Sequence, residues 1–421
     1  MRRLSTLLRR ALASGTTIAG VGILAHGMFE TKIAAADGPT ACESLTNPVF
    51  VYGSSASAPI WGPLAVALST GATPPTIIYA GPGSCVGVNG AVNGTAMTAG
   101  SFTYFNAATG AAGLPCTLSD TTRLPDIGVS DVFATSCPGI TAAAVTTAGV
   151  TDFDTFFIQS MNFVVPKSDT TAPTTITADA AYVAVGLGGV GTGIPADFPW
   201  IAKFDNSVPP VSTNFLVRNN QSGTQIMLGK AIGVDAAKWV GKNAGGSGAV
   251  ITGIGSAPAG SLGILVSGDA DKNPTTISKL AFQAKGQTCA YYPDSASGTK
   301  DKVNVREGRY DVWGPIHLLA KATGGVATSA NAKIVLDGFA AQDSTVIDAE
   351  VIAGVTPVCA MHVSRSAEIG PMSSFQPDKS CGCYFGSKTG DAAAADCTAC
   401  TKASDCPSSA PACNYGFCEV K

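Results

Sequence analysis

Four times along this chain a short apolar segment runs into a turn of glycine, hydroxyl or acidic residues. Val49 to Tyr52 ends in Gly53-Ser54-Ser55-Ala56-Ser57-Ala58-Pro59, and Ile60, Leu64, Ala67 and Leu68 then fall on one helical face. Thr76 to Ala80 ends in Gly81-Pro82-Gly83-Ser84-Cys85-Val86-Gly87, and Ile127 to Ser130 ends at Asp131. Phe215 to Val217 feeds Arg218-Asn219-Asn220-Gln221-Ser222-Gly223-Thr224, after which Ile226, Met227 and Ile232 continue a helix. Strands alternating with helices build an α/β protein, and ligands of open α/β sheets sit beyond the carboxyl ends of the strands. The four polar turns all stand at such ends, so they are expected to converge.

The turn from Arg218 to Thr224 reads as an oxyanion cradle. A helix start leaves backbone N–H groups unpaired and carries partial positive charge. Gly223 lets the backbone close on a ligand, Ser222 and Thr224 add hydroxyl donors, and Arg218 supplies a planar, permanent charge.

The 421 residues suffice for two or three domains. Only 13% are charged, 45% are hydrophobic, and no basic stripe appears, which argues against a nucleic-acid partner. Residues 1–36 read as a signal peptide: Arg2, Arg3, Arg9 and Arg10 precede a small, apolar run that is broken too often to anchor a membrane, and Ala34-Ala35-Ala36 precede a cut near Asp37. Its removal takes five cations and one anion, and shifts the formal net charge from -3 to -7. A periplasmic or secreted location follows. An acidic protein of this kind binds anions through local donors and not through its overall field.

Thirteen cysteines in an exported chain point to disulfides, and an odd number leaves one thiol over. Seven of them lie beyond Asp378, where Gly, Ala, Asp, Pro and Ser replace the apolar runs, so residues 378–421 read as a small stapled module. Zinc is the competing reading of Cys381-x-Cys383 and Cys397-x-x-Cys400, but the tail has no histidine. Cys85, next to Ser84, is expected to pair with Cys116 or Cys137 and stiffen the loop.

Taken in order, these fragments resemble the phosphate-binding proteins of bacterial ABC phosphate importers (PstS-type), which are class II periplasmic binding proteins. The resemblance covers 48–323 in patches and includes Gly260-Ser261-Leu262-Gly263-Ile264 and Arg306-Glu307-Gly308-Arg309-Tyr310. It implies a two-lobed α/β fold, extended here by the disulfide-rich tail. One lobe is expected from 37–160 and 268–377, the other from 161–267, with Phe156 to Val165 and Gly260 to Val266 as crossing strands. The resemblance places phosphate against Ser57, Ala58, Ser84, Asp131, Arg218, Ser222, Gly223 and Thr224, in a monomer that partners an ABC permease. Departures from the family pattern include Cys85 beside Ser84, Ala58 where an aromatic is common, and the long Gly- and Thr-rich stretch 88–125.

The residue types suit that role. A carboxylate at Asp131 accepts a hydrogen bond from a protonated oxyanion but repels sulfate, so selectivity comes from a repulsive element. No catalytic residue, metal or cofactor is expected. His317 and His362 stand in no nucleophile motif, and Gly53 to Ser57 is not a nucleophile elbow. Gly186-Leu187-Gly188-Gly189-Val190-Gly191 follows a strand-like Tyr182 to Val185 and has dinucleotide spacing, with Asp205 near the acidic position. Gly193 and Pro195 would break the helix that such a site needs, so it reads as a turn. The alternative to transport is a surface or matrix interaction protein built on a binding-protein scaffold.

Overall fold

Strand β1 (Pro48–Gly53) buries Val49, Phe50, Val51 and Tyr52 in succession, so both of its faces are covered, as a continuous apolar run in a parallel sheet requires. The computed structural model describes residues 40–420, and the expected leader over 1–36 lies outside them. Pro59 in the first turn of α1 (Ala58–Ala67) suits its fixed φ, and the helix lays Ile60, Trp61 and Leu64 on the sheet. β1 pairs in parallel with β2 (Thr76–Ala80), which leads into α2 (Ser84–Asn93). The Gly- and Thr-rich stretch that follows folds as an antiparallel hairpin of β3 (Gly100–Phe105) and β4 (Leu114–Leu118) on the sheet's edge. β5 (Ile127–Ser130) lies parallel to the other side of β1. After α3 (Ala142–Thr147) and β6 (Val150–Phe153) the chain leaves this sheet.

It leaves through β7 (Phe157–Pro166), in which every residue is buried. β8 (Thr175–Thr177) ends at a cap: Thr177 Oγ1 accepts from Ala180 N at 3.0 Å and starts α4 (Ala178–Ala181). The helical path continues through Tyr182–Gly186, so the strand expected over Tyr182 to Val185 is a helix. Gly188 and Gly189 then turn the chain at positive φ and no helix follows, so the glycine motif forms no dinucleotide cradle. β9 (Phe215–Val217) leads to α5 (Gly223–Ile232), followed by β10 (Lys242–Asn243), α6 (Ser247–Gly255), β11 (Leu262–Val266) and α7 (Ser267–Lys272). β12 (Ile277–Lys279), β13 (Ala281–Gln283), α8 (Val303–Arg306) and β14 (Trp313–Pro315) complete this half. The second sheet runs β10-β9-β11-β7-β12, with β14 on the first half of β7 and β11 on its second half.

The chain returns to the first sheet at β15 (His317–Thr323), which pairs with β5 and β6, followed by β16 (Val326–Ala327). The crossing strands are therefore β7 and β14. The segment expected to cross back, Gly260 to Val266, instead holds β11 in the second sheet, and the return comes near 316, not at 268. A buried four-membered ion cluster lies in the part of the chain that stays in this half. Lys302 Nζ lies 2.6 Å from Asp271 and 2.7 Å from Asp294, Lys279 pairs with the same two carboxylates, and all four side chains are buried. This cluster ties the end of α7 to β12 and to the start of α8. Apart from these boundaries, the molecule is the two-sheet α/β architecture that the resemblance implied.

α9 (Ala330–Ala341) and α10 (Ser344–Ala353) cover the first sheet, where Phe339 stacks among Trp61, Phe156 and Phe157. β17 (Thr356–Pro357) then touches β7 again. The tail carries α11 (Gly382–Thr389) and is stapled by Cys383–Cys397, Cys400–Cys413 and Cys406–Cys418, while Cys359–Cys381 ties it to the body. It packs on α10, with Tyr384 Oη donating to Asp348 at 2.9 Å, and on α8, with Arg306 pairing with Asp391 at 2.7 Å. The remaining bridges are Cys42–Cys116 and Cys85–Cys137, and Cys289 is a free, exposed thiol. No helix among the described residues is long and apolar enough to cross a membrane.

Candidate functional site

Between the two sheets, α1, α2, α5 and α6 each begin with small polar residues that point at one buried cluster. From the first sheet come Ser54 and Ser55 ahead of α1, Ser84 at the head of α2, and Asp131 just beyond β5. From the second come Arg218 beyond β9, Ser222, Gly223 and Thr224 at the head of α5, and Ser247 at the head of α6. Asp131 is held by hydroxyls on both sides: Ser54 Oγ donates to Oδ1 at 2.5 Å, and Ser84 Oγ and Thr224 Oγ1 approach Oδ2 at 3.3 and 3.4 Å. The Gly223 amide donates across the gap to Ser84 Oγ at 3.1 Å, and the Cys85 amide donates to Gln221 O at 3.0 Å. Ser222 and Thr224 are no more than 2% exposed, so the lobes are shut on this cluster.

Only glycine fits at position 223. A Cβ there would stand 2.6 Å from Ser84 Oγ and 2.7 Å from Asp131 Cβ, which belong to the opposite lobe. Arg218 crosses the same gap. Its Nη2 donates to Ser55 Oγ at 2.9 Å and its Nη1 to Ser247 Oγ at 3.3 Å, while Nε is anchored on Gly245 O. The Arg218 amide donates to Gln225 Oε1 at 2.6 Å, which fixes the strand end from which the guanidinium projects.

The structure thus brings together Ser84, Asp131, Arg218, Ser222, Gly223 and Thr224. Ser57 and Ala58 stand apart. Ser57 Oγ donates to Ser54 O at 2.8 Å and accepts from Trp61 Nε1 at 3.1 Å, and the Ala58 amide bonds Ser55 O to close a short helical turn. Both groups are spent on shaping the loop. Ser54 and Ser55, each three residues earlier, are the ones whose hydroxyls reach the cluster. The turn over Ser55–Ser57, invisible in composition, separates the two pairs by three positions.

Asp269, in the first turn of α7, was not foreseen. It is 6% exposed, its Oδ2 has no hydrogen-bond partner, and it lies near enough to Arg218, Asp131 and the Ser247 hydroxyl for each to act on its ionisation. Its sequence signal is the same as the others: β11 ends, Ser267-Gly268 follow, and a helix begins. Burial pushes the Asp269 carboxyl up to about 6 and also raises that of Asp131, where Ser54, Arg218, Ser84 and Thr224 oppose the rise. Burial lowers the pKa of Arg218, with Asp131 and Asp269 opposing that shift. Among the described residues no carboxylate forms a salt bridge with Arg218. The cluster therefore offers a cation, hydroxyls and helix amides whose present partners are largely one another, donor groups of the kind that suit an oxyanion.

Elsewhere His317 Nδ1 lies 2.8 Å from Asp152, and Asp154 completes a group whose ligand atoms fall within 4.8 Å of one another. The sequence had placed no carboxylate beside that histidine. The hydroxyl opposite it in the register, Ser130, donates to Val132 O at 2.6 Å, so this is no nucleophile triad. Cys400, Cys406 and Cys418 also gather, but each is already in a disulfide.

No family model and no curated protein matches the chain. Among solved structures it is similar to a protein assigned as a phosphate ABC transporter substrate-binding protein, with bound phosphate, from Clostridium perfringens. Identity is 14%, covering 74% of this chain and 99% of that one, at a TM-score of 0.49. An ABC-type phosphate transport receptor from Vibrio cholerae is 15% identical over 73% of this chain and 99% of its own, at a TM-score of 0.44. The reduced OxyR regulatory domain from Pseudomonas aeruginosa is 9% identical over 69% of this chain and 96% of its own, at 0.37. Likenesses this distant carry no ligand across, so the function has to be read from the chain's own residues.

Proposed function

We propose that this protein captures phosphate, or an oxyanion of the same shape, between its lobes and delivers it to an ABC importer. One observation carries the reading: Arg218, the start of α5, the Ser55 and Ser84 hydroxyls and the Asp131 carboxylate meet from two lobes at one buried point. The cation and the N–H and O–H donors suit an anion, and a carboxylate among them suits an anion that still carries a proton. Export through the 1–36 leader and partnership with a permease belong to the same proposal. The solved phosphate-binding proteins named above agree with it in fold.

Equilibrium dialysis of the mature protein against labelled phosphate, after partial unfolding to strip bound ligand, tests the reading. Removing one partner of a buried charge-assisted set costs about 2 to 5 kcal/mol, so Arg218→Ala should weaken binding by well over tenfold. Equal affinity in wild type and variant would remove Arg218 from the site. A wild-type protein that retains no phosphate would leave the interaction-protein reading in its place.

A further inference from the structure

Asp131 alone accounts for selection of a singly protonated oxyanion, yet a second carboxylate stands at the same cluster with one oxygen unused. Asp269 enters from α7, on the second lobe, whereas Asp131 enters from the end of β5 on the first. Both act on the ionisation of Arg218, and neither forms an ion pair with it. The charged or titratable groups that act on Asp269 are Arg218 from the end of β9, Asp131 from the end of β5, Tyr79 from β2 and Lys272 from its own helix. Tyr79 is committed: its hydroxyl donates to Ser54 O at 2.5 Å, and burial raises its pKa far above the usual phenol range. Lys272, whose own pKa burial depresses, offsets the Asp269 charge only in part.

A buried carboxylate oxygen left without a donor is costly, and it is satisfied most simply by an O–H brought in by a ligand. We infer that Asp269 is a second proton-accepting residue of the oxyanion site, so that the anion taken is the doubly protonated, singly charged one. The inference rests on the oxyanion reading above. One hydroxyl of the bound anion donates to Asp131 and the other to Asp269, while the unprotonated oxygens face Arg218 and the amides of α5. Two carboxylates against one guanidinium disfavour a dianion; they suit dihydrogen phosphate or its arsenic analogue. Burial raises the Asp269 carboxyl to about 6, in keeping with a carboxylate set in a dry site.

The proton count makes this testable. At about pH 8, above the ~6 of Asp269, free phosphate is chiefly the dianion, so forming the complex from ionised Asp131 and Asp269 draws one proton from solvent. A site with Asp131 as sole acceptor would take the dianion and draw none. Titration calorimetry of the mature protein with inorganic phosphate, repeated at that pH in buffers of different ionisation enthalpy, reads the number directly. Wild type should take up about one proton per phosphate, and its affinity should fall about tenfold per pH unit above that point. Asp269→Asn should reduce the uptake to about zero and flatten the pH dependence while still binding phosphate. Binding by wild type without proton uptake overturns the inference alone, and needs no variant to fold. Uptake that persists in Asp269→Asn assigns the proton elsewhere and also overturns it. No binding at any pH overturns the phosphate reading together with the inference.

Discussion

Gly223 carries the geometry of the closed site on a single missing atom. The α5 amide reaches Ser84 only because nothing projects from position 223 toward Asp131. The contact is made between lobes, so it exists only when they are shut. Gly223→Ala should therefore weaken phosphate binding by tenfold or more while leaving the chain folded, because its Cβ would meet Ser84 and Asp131 of the other lobe and hold the lobes apart around a ligand. Parallel dialysis and thermal scans check this, and a variant that binds as wild type does would show that the closed contact is dispensable. At this scale much of the site was readable. Arg218, Ser222, Gly223 and Thr224 form a compact local motif whose chemistry does not depend on distant register. Ser54 and Ser55 were not readable in the same way, because four small residues in a row offer no signal for which hydroxyl the turn will aim. Asp269 was hidden for another reason: a carboxylate near a helix start reads as an ordinary favourable partner of the helix dipole until its burial is known.

Helix α10 shows the cost of joining the tail to the body. Its Glu350 is 2% exposed, and burial lifts the carboxyl well above the usual range. The sign of the effect on stability is fixed by that direction. The folded state holds the proton more tightly than the unfolded chain, so stability is fully present below the unfolded value near 4.5 and falls as pH rises from there toward the folded value. Glu350→Gln should raise the thermal midpoint at neutral pH, with the gain shrinking as the pH is brought down toward 4.5. A gain that is constant with pH would assign it to packing and not to the charge. Elements of this kind were unevenly legible. β1, β2, β5, β7 and β9 announce themselves as apolar runs closed by glycine or polar residues. The β3 and β4 hairpin does not, because its Gly- and Thr-rich composition resembles a loop until pairing with β2 and the Cys42–Cys116 bridge fix it. The Tyr182–Gly186 segment was read as a strand from its valines, and the Thr177 cap upstream overrode that propensity.

Across the whole molecule, two strands, β7 and β14, carry the chain between sheets, and the site lies where both lobes present the ends of their strands. The alternation of strand and helix was enough to foresee an α/β protein, and the family resemblance implied its two lobes. It could not place the return crossing: the buried Lys279, Lys302, Asp271 and Asp294 cluster lies past the expected boundary, and its members, scattered over 31 residues, meet only in the fold. The account stands or falls on whether the shut cleft recognises a protonated oxyanion by its two-sided polar cluster. Titration calorimetry of the stripped mature protein with phosphate and with sulfate, on wild type and Asp131→Asn, tests this most directly. Wild type should give heat with phosphate and none with sulfate, and Asp131→Asn, which keeps the size but lacks the negative charge, should show a narrowed preference. Equal binding of both anions by wild type, or an undiminished preference in the variant, would contradict it.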